Sequence, residues 1–182
     1  MEIQGFFPTG ILFHQVSPQL ADQIESLIVP RLNNLDYVQT VKTDYFQDKI
    51  VSREELKDLI EEIYKNVTYY AKEINEESFG YNYWIQDYSQ NDTHKLHSHG
   101  RNLFSVVYWV RASKNAGDLV IHETNPFKKQ WFSQSTSSIF NYQKIRITPE
   151  KGKLVIFPSY LEHEVLPGGE NCIRTAIAFN IQ

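Results

Sequence analysis

Cysteine is almost absent from this chain: Cys172 is the only one in 182 residues. A lone thiol excludes an intrachain disulfide, a thiolate zinc finger and an iron–sulfur cluster, each of which needs several cysteines. There is no basic block either. Lys and Arg total 18 against 22 Asp and Glu, a net charge of −4, which argues against a surface that tracks nucleic-acid phosphates. No apolar run approaches the roughly 20 residues that span a bilayer. Met1 to Gly10 lacks a positively charged segment leading into an apolar one. The expectation is a soluble, cytoplasmic protein with no membrane partner. Self-similarity at a period of roughly 20–50 residues is missing too, so solenoids and propellers are excluded.

What the chain has in quantity is aromatic side chains: 14% of residues, with eleven Tyr and eleven Phe, a composition that favours strands over a helical bundle. The length suits a single domain, 1–182, with a real core. Residues 1–80 read as helical support. Phe6-Phe7-Pro8 suggests an extended edge near the start, which could pair between subunits in a homodimer. Ser17-Pro18 caps a helix carrying Leu20, Ile24, Leu27 and Ile28, which Pro30 ends or kinks. Ser52 with Glu55 forms a capping box ahead of an apolar stripe, Leu56, Leu59, Ile60, Ile63, Val67 and Tyr70. After Gly80 the texture changes. Strands are predicted at Tyr81–Tyr88, Leu103–Val110, Asp118–His122, Ile139–Ile147, Lys153–Phe157 and Cys172–Ile181, punctuated by Gly, Pro, Asn and Ser. Helices first and many short strands after them predict a mainly β protein, a sandwich or jelly roll in residues 81–182 with the N-terminal helices on its outside.

Three of the six histidines fall within His94–His99. On an extended strand His97 and His99 project from one face and His94 from the other. Such a pair alone is as compatible with hydrogen-bonded structural histidines as with metal ligands. His163 strengthens the metal reading, because it follows the apolar run Leu154–Pro158 and could close a coordination shell. The plain alternative is an exposed loop histidine between Glu162 and Glu164. Arg174 has the most informative surroundings. Cys172, Arg174, Ala176, Ala178 and Asn180 share one strand face, and Ile173, Thr175, Ile177, Phe179 and Ile181 the other. A guanidinium among small residues leaves room for a carboxylate to lie against it and be gripped at two points. The alternative is a surface arginine on an edge strand.

In this order, His97-Ser98-His99, Ser105-Val106-Val107-Tyr108, Gly152-Lys153-Leu154-Val155-Ile156-Phe157-Pro158-Ser159-Tyr160-Leu161-Glu162-His163 and Arg174-Thr175-Ala176-Ile177-Ala178-Phe179-Asn180 resemble the 2-oxoglutarate- and Fe(II)-dependent dioxygenase superfamily. The closer likeness is to its small bacterial and phage branch with a His-x-His motif. The likeness covers Trp84 to the C-terminus. It implies a double-stranded β-helix, a cupin-like barrel, with iron held by His97 and His163 and with Arg174 pairing the distal carboxylate of 2-oxoglutarate. Ser105 is a further candidate for contact with this small-molecule co-substrate. The implied activity is hydroxylation or demethylation of an unidentified primary substrate, with 2-oxoglutarate decarboxylated to succinate.

The chain departs from most of that superfamily at position 99, where a carboxylate is usual. Either His99 completes a three-histidine set, or a water or a carboxylate such as Glu162 takes its place. Two other readings follow from this departure: a cupin-like three-histidine metalloprotein that does not use 2-oxoglutarate, and a non-catalytic jelly-roll binding module. Trp84, Tyr88, Tyr108 and Trp109 could line a pocket, although aromatic strand residues more often fill cores. His14 and His122 have no partner pattern, and 125–138 reads as a long loop.

Overall fold

The computed structural model describes residues 9–34, 50–77, 80–125 and 143–182, together with the backbone of 36–38 and 41–44. Two helices follow the local signals. In α1, Pro18–Ile28, the Ser17 hydroxyl accepts the Leu20 N–H at 3.2 Å and proline occupies the first turn, where no intrahelical donor is needed. Pro30 cannot extend the α-helical ladder, and the chain tightens into a 3-10 turn over Val29–Asn34. Ahead of α2, Lys57–Glu73, the capping box is present in both directions: Ser52 N–H donates to Glu55 Oε2 at 2.9 Å, and Glu55 N–H to Ser52 Oγ at 3.3 Å. All six residues of the apolar stripe on α2 are buried.

The strands are β1 (Leu12–Gln15), β2 (Asp36–Val38), β3 (Val41–Asp44), β4 (Tyr81–Tyr88), β5 (His94–His97), β6 (Phe104–Ala112), β7 (Leu119–His122), β8 (Lys144–Ile147), β9 (Lys153–Pro158), β10 (His163–Val165) and β11 (Arg174–Ile181). They form a seven-stranded sheet, β1-β9-β6-β11-β4-β3-β2, and a four-stranded sheet, β5-β10-β7-β8. Every strand pair described is antiparallel.

The two faces of β11 decide the layering. Ile177, Phe179 and Ile181 join α1, α2 and the even-numbered residues Phe104 to Val110 of β6 in one core, between the helices and the large sheet. Ala176 faces the other way and joins Trp109, Val155 and Phe157 against Leu119, Ile121 and Ile147 of the small sheet. The molecule is therefore mainly β, a jelly-roll sandwich with its N-terminal helices on the outer face of the large sheet. Residues before Gly80 do more than support it from outside, since β1, β2 and β3 are strands of the large sheet. The expected N-terminal edge at Phe6–Pro8, and with it the homodimer pairing, lies outside the described residues, as do residues 126–142 of the expected loop and strand.

A candidate metal centre at the open end of the sandwich

The histidines meet where β5 pairs with β10. His97 stands directly opposite His163, and a bulge follows, so that three residue steps on β5, from His97 back to His94, match two on β10. The extra residue reverses the parity beyond it. His94, expected to point away, instead lays its ring on that of His97, centroids 4.2 Å apart. His99 is not on the strand. Regular pairing stops at His97, and His99 sits in a turn whose backbone N–H donates to Ser159 O at 2.8 Å and whose carbonyl accepts from Asn102 N–H at 2.9 Å. It still reaches the same point: ring centroids are 4.2 Å for His97–His163, 5.0 Å for His97–His99 and 5.2 Å for His99–His163. One ring nitrogen from each of the three lies within 4.8 Å of the others. Glu162 is not in this cluster.

Each imidazole is oriented from behind. The Nδ1 atoms of His97, His163 and His99 lie 2.7 Å from Lys95 O, 3.0 Å from Leu161 O and 2.5 Å from Asn180 Oδ1. A carbonyl at Nδ1 takes the ring proton there and leaves the Nε2 lone pair for a cation. Burial favours the neutral form of three of the cleft's histidines, pushing His163 down to about 3 and His94 to about 4 and lowering His97, with the neighbouring histidines adding to the effect.

Arg174 lies in the same cleft and is 2% exposed. Its guanidinium rests on the Tyr88 ring, 3.6 Å from the centroid, and Nη1–H donates to Gly117 O at 2.6 Å. Nε and Nη2 are buried with no hydrogen-bond partner among the described residues. Burial lowers the arginine's pKa, but a guanidinium does not give up its proton in proteins. A buried cation with two free donors is costly unless an anion completes it. Ala176 and Ala178 line the cleft between the arginine and the histidines.

Trp84, Tyr88 and Trp109 line the cleft as well, whereas Tyr108 points into the helix-side core. Ser105 lines it too, with its hydroxyl 2.8 Å from Ser159 Oγ and 3.5 Å from His99 Nδ1. His122 and His14 have carboxylate partners, Glu164 at 2.9 Å and Glu62 at 2.7 Å. Sequence reasoning missed Asn180, Gln86 and Gly117. Asn180 shares Arg174's strand face, and Gln86 alternates with Trp84 and Tyr88 on β4; that parity was the available signal.

A family model described as "Putative 2OG-Fe(II) oxygenase" matches residues 82–180, a span that contains every residue lining the cleft. The chain belongs to this oxygenase family. Solved structures similar to this oxygenase share its fold at low identity. A prolyl-4-hydroxylase from Pseudomonas putida superposes with a TM-score of 0.70 at 14% identity, over 96% of this chain and 92% of that one. A prolyl hydroxylase from Trichoplax adhaerens, in complex with a hypoxia inducible factor peptide fragment, gives 0.69 at 14%, over 95% and 83%. A viral collagen prolyl hydroxylase from Paramecium Bursaria Chlorella virus-1, in a 2OG complex, gives 0.57 at 13%, over 94% of each. No curated protein matches the oxygenase in sequence. No helix among its described residues is long and apolar enough to cross a membrane.

Membership in the family implies Fe(II) and 2-oxoglutarate, and the residues present fit both. Three imidazoles with their Nδ1 atoms already engaged form a donor set that suits Fe among other first-row metals. The two unpartnered donors of Arg174 form the fork that a carboxylate accepts at two points.

Proposed function

We propose that the protein is an Fe(II)- and 2-oxoglutarate-dependent dioxygenase in which His97, His99 and His163 hold the metal and Arg174 grips the distal carboxylate of 2-oxoglutarate. The observation that carries this reading is Arg174, buried in the same cleft as the histidines with Nε and Nη2 unpartnered. Iron bound there would supply the redox chemistry that oxidises a substrate with O₂ while 2-oxoglutarate is converted to succinate and CO₂.

The protein's own groups select, orient and screen. Gly117 O and the Tyr88 ring fix the guanidinium, so that the co-substrate enters in one direction only. Ala176 and Ala178 leave the length of the cleft clear. Phe157, its ring 4.9 Å from His163, and Trp109 keep water from the inner side. With three uncharged imidazole ligands, a divalent ion and the guanidinium leave positive charge uncompensated, and a dicarboxylate offsets most of it. Ser105, bonded to Ser159 and 3.5 Å from His99 Nδ1, is a hydroxyl candidate for a co-substrate contact. A second, open groove reaches the histidines from outside, between Trp84, Asn82, Asn102 and Arg101, and is where the primary substrate would dock.

Anaerobic addition of Fe(II) and 2-oxoglutarate should give the weak visible charge-transfer band of a chelated keto acid. Turnover should release succinate. Arg174→Ala should weaken 2-oxoglutarate binding by about a hundredfold, the scale of two lost charge-assisted hydrogen bonds; an unchanged band and affinity would remove Arg174 from this role. Among the described residues the cluster has no carboxylate, which favours the cupin-like alternative, a three-histidine oxygenase that makes no succinate, and the same assay separates the two.

A further inference from the structure

His94 is the fourth histidine of the cleft and has no part in the reading above. It is not among the residues whose donor atoms converge; its ring lies nearly parallel to that of His97, the planes 18° apart. Strand register gives its level along the cleft. On the large sheet, cleft-facing residues of β4 and β11 pair in steps: Trp84 with Ala178, Gln86 with Ala176, Tyr88 with Arg174. Trp84 marks the histidine end, its ring 5.9 Å from His99, and Tyr88 marks the arginine end. Gln86 is the middle step, roughly 7 Å from either end at about 3.3 Å per residue.

The small sheet keeps the same order. His97 pairs with His163, and His94 with Val165. Val165 in turn faces Leu119, close in sequence to Gly117, whose carbonyl holds Arg174. The chain from His97 to His94 therefore runs from the metal end toward the arginine. The two residues at the middle level meet across the cleft: Gln86 Nε2 lies 3.3 Å from His94 Nδ1, and Gln86 is itself buried. An amide N–H donated to Nδ1 leaves the ring proton of a neutral imidazole on Nε2. That places an N–H donor beside the path between a cation site and an anion anchor.

We propose that His94 binds the co-substrate, its Nε2–H donating to the metal-side carboxylate of the 2-oxo acid while Gln86 sets the tautomer. The inference rests on the dioxygenase reading and adds a recognition contact to it. It assigns the bulge on β5 a purpose: without the extra residue, His94 would face away from the cleft.

The test uses the full chain loaded with Co(II), measuring metal affinity by titration and 2-oxoglutarate affinity by calorimetry. His94→Phe keeps a flat ring against His97 and removes the N–H; His94→Gln returns an N–H donor without the ring. The expected result for His94→Phe is a metal affinity within about twofold of wild type and a 2-oxoglutarate Kd raised about tenfold, the scale of one hydrogen bond to a charged group. His94→Gln should recover most of that loss. An unchanged Kd in His94→Phe overturns the proposal. So does a parallel loss of metal affinity, or a His94→Gln variant as weak as His94→Phe. A wild-type protein that binds Co(II) but no 2-oxoglutarate overturns the dioxygenase reading itself, a result distinct from normal wild-type binding that ignores residue 94.

Discussion

At the scale of single side chains, the proposed metal site depends on residues outside the three histidines. Asn180 Oδ1 lies 2.5 Å from His99 Nδ1, and of the three proposed ligands His99 is the least supported by its own backbone, since it stands beyond the end of β5. Asn180→Ala should therefore lower Co(II) or Fe(II) affinity by about ten- to a hundredfold, the range for lost support behind a metal-bound histidine, with little change in melting temperature. Equal metal affinity in the variant would show that His99 does not ligate. These residues differ in how legible they are in the sequence. Arg174 could be read because a bulky face alternating with Cys, Ala and Ala implies a slot on a buried strand. His97 and His99 carried little by themselves, and it was His163 together with Arg174 that made them legible as a site. Asn180 is a common residue whose value lies entirely in what it faces, and His94 was read with the wrong parity because a bulge leaves no mark in composition.

Among the elements, loops shape the site as firmly as strands do. Gly117 precedes β7 and gives its carbonyl to Arg174. A Cβ there would stand 1.8 Å from Leu166 O and 2.6 Å from Leu166 C, backbone atoms that cannot turn aside. Gly117→Ala should displace the Gly117 carbonyl, cost about 1–3 kcal/mol of stability as an overpacking change, and weaken 2-oxoglutarate binding more than metal binding. Chemical denaturation together with the two titrations checks this; weakened metal binding with normal 2-oxoglutarate binding would contradict it. The predicted strand at Tyr81–Tyr88 matches the observed one, because an uninterrupted aromatic and β-branched run is a strong signal. The β2–β3 hairpin and the short β5 and β10 went unpredicted. Strands of three or four residues are stabilised by their neighbours in the sheet, and Lys, Asp, His and Glu in them carry no strand preference of their own.

For the molecule as a whole, the buried neutral histidines tie stability to pH. In the folded apoprotein His163 and His94 resist protonation down to about 3 and about 4, while in the unfolded chain they would protonate near 6.5. Between those values the unfolded chain binds more protons, so stability is fully present above roughly pH 7 and declines as pH falls toward 4. Arg174 faces the same space, and a proton gained there meets that cation. Thermal melts in chelator should show a lower melting temperature at pH 5 than at pH 7.5, and His163→Gln should flatten that difference; an equal slope in the variant would rule His163 out as its source. The jelly roll itself was legible in outline, from helices followed by short strands, whereas the joining of β1 to β9 and of β3 to β4 depends on contacts far apart in sequence and has no local signature. β5 is the outer strand of the small sheet, joined to β10 through a bulge, and it carries His97 with His99 just past its end. An ion shared with His163 would fasten that strand to its neighbour, so chelation should speed hydrogen exchange across residues 95–98 while β6 and β11 stay protected. Protein stripped of metal would expose an unpaired strand edge to other chains and to proteases, and the amount of intact oxygenase would then follow the supply of the metal.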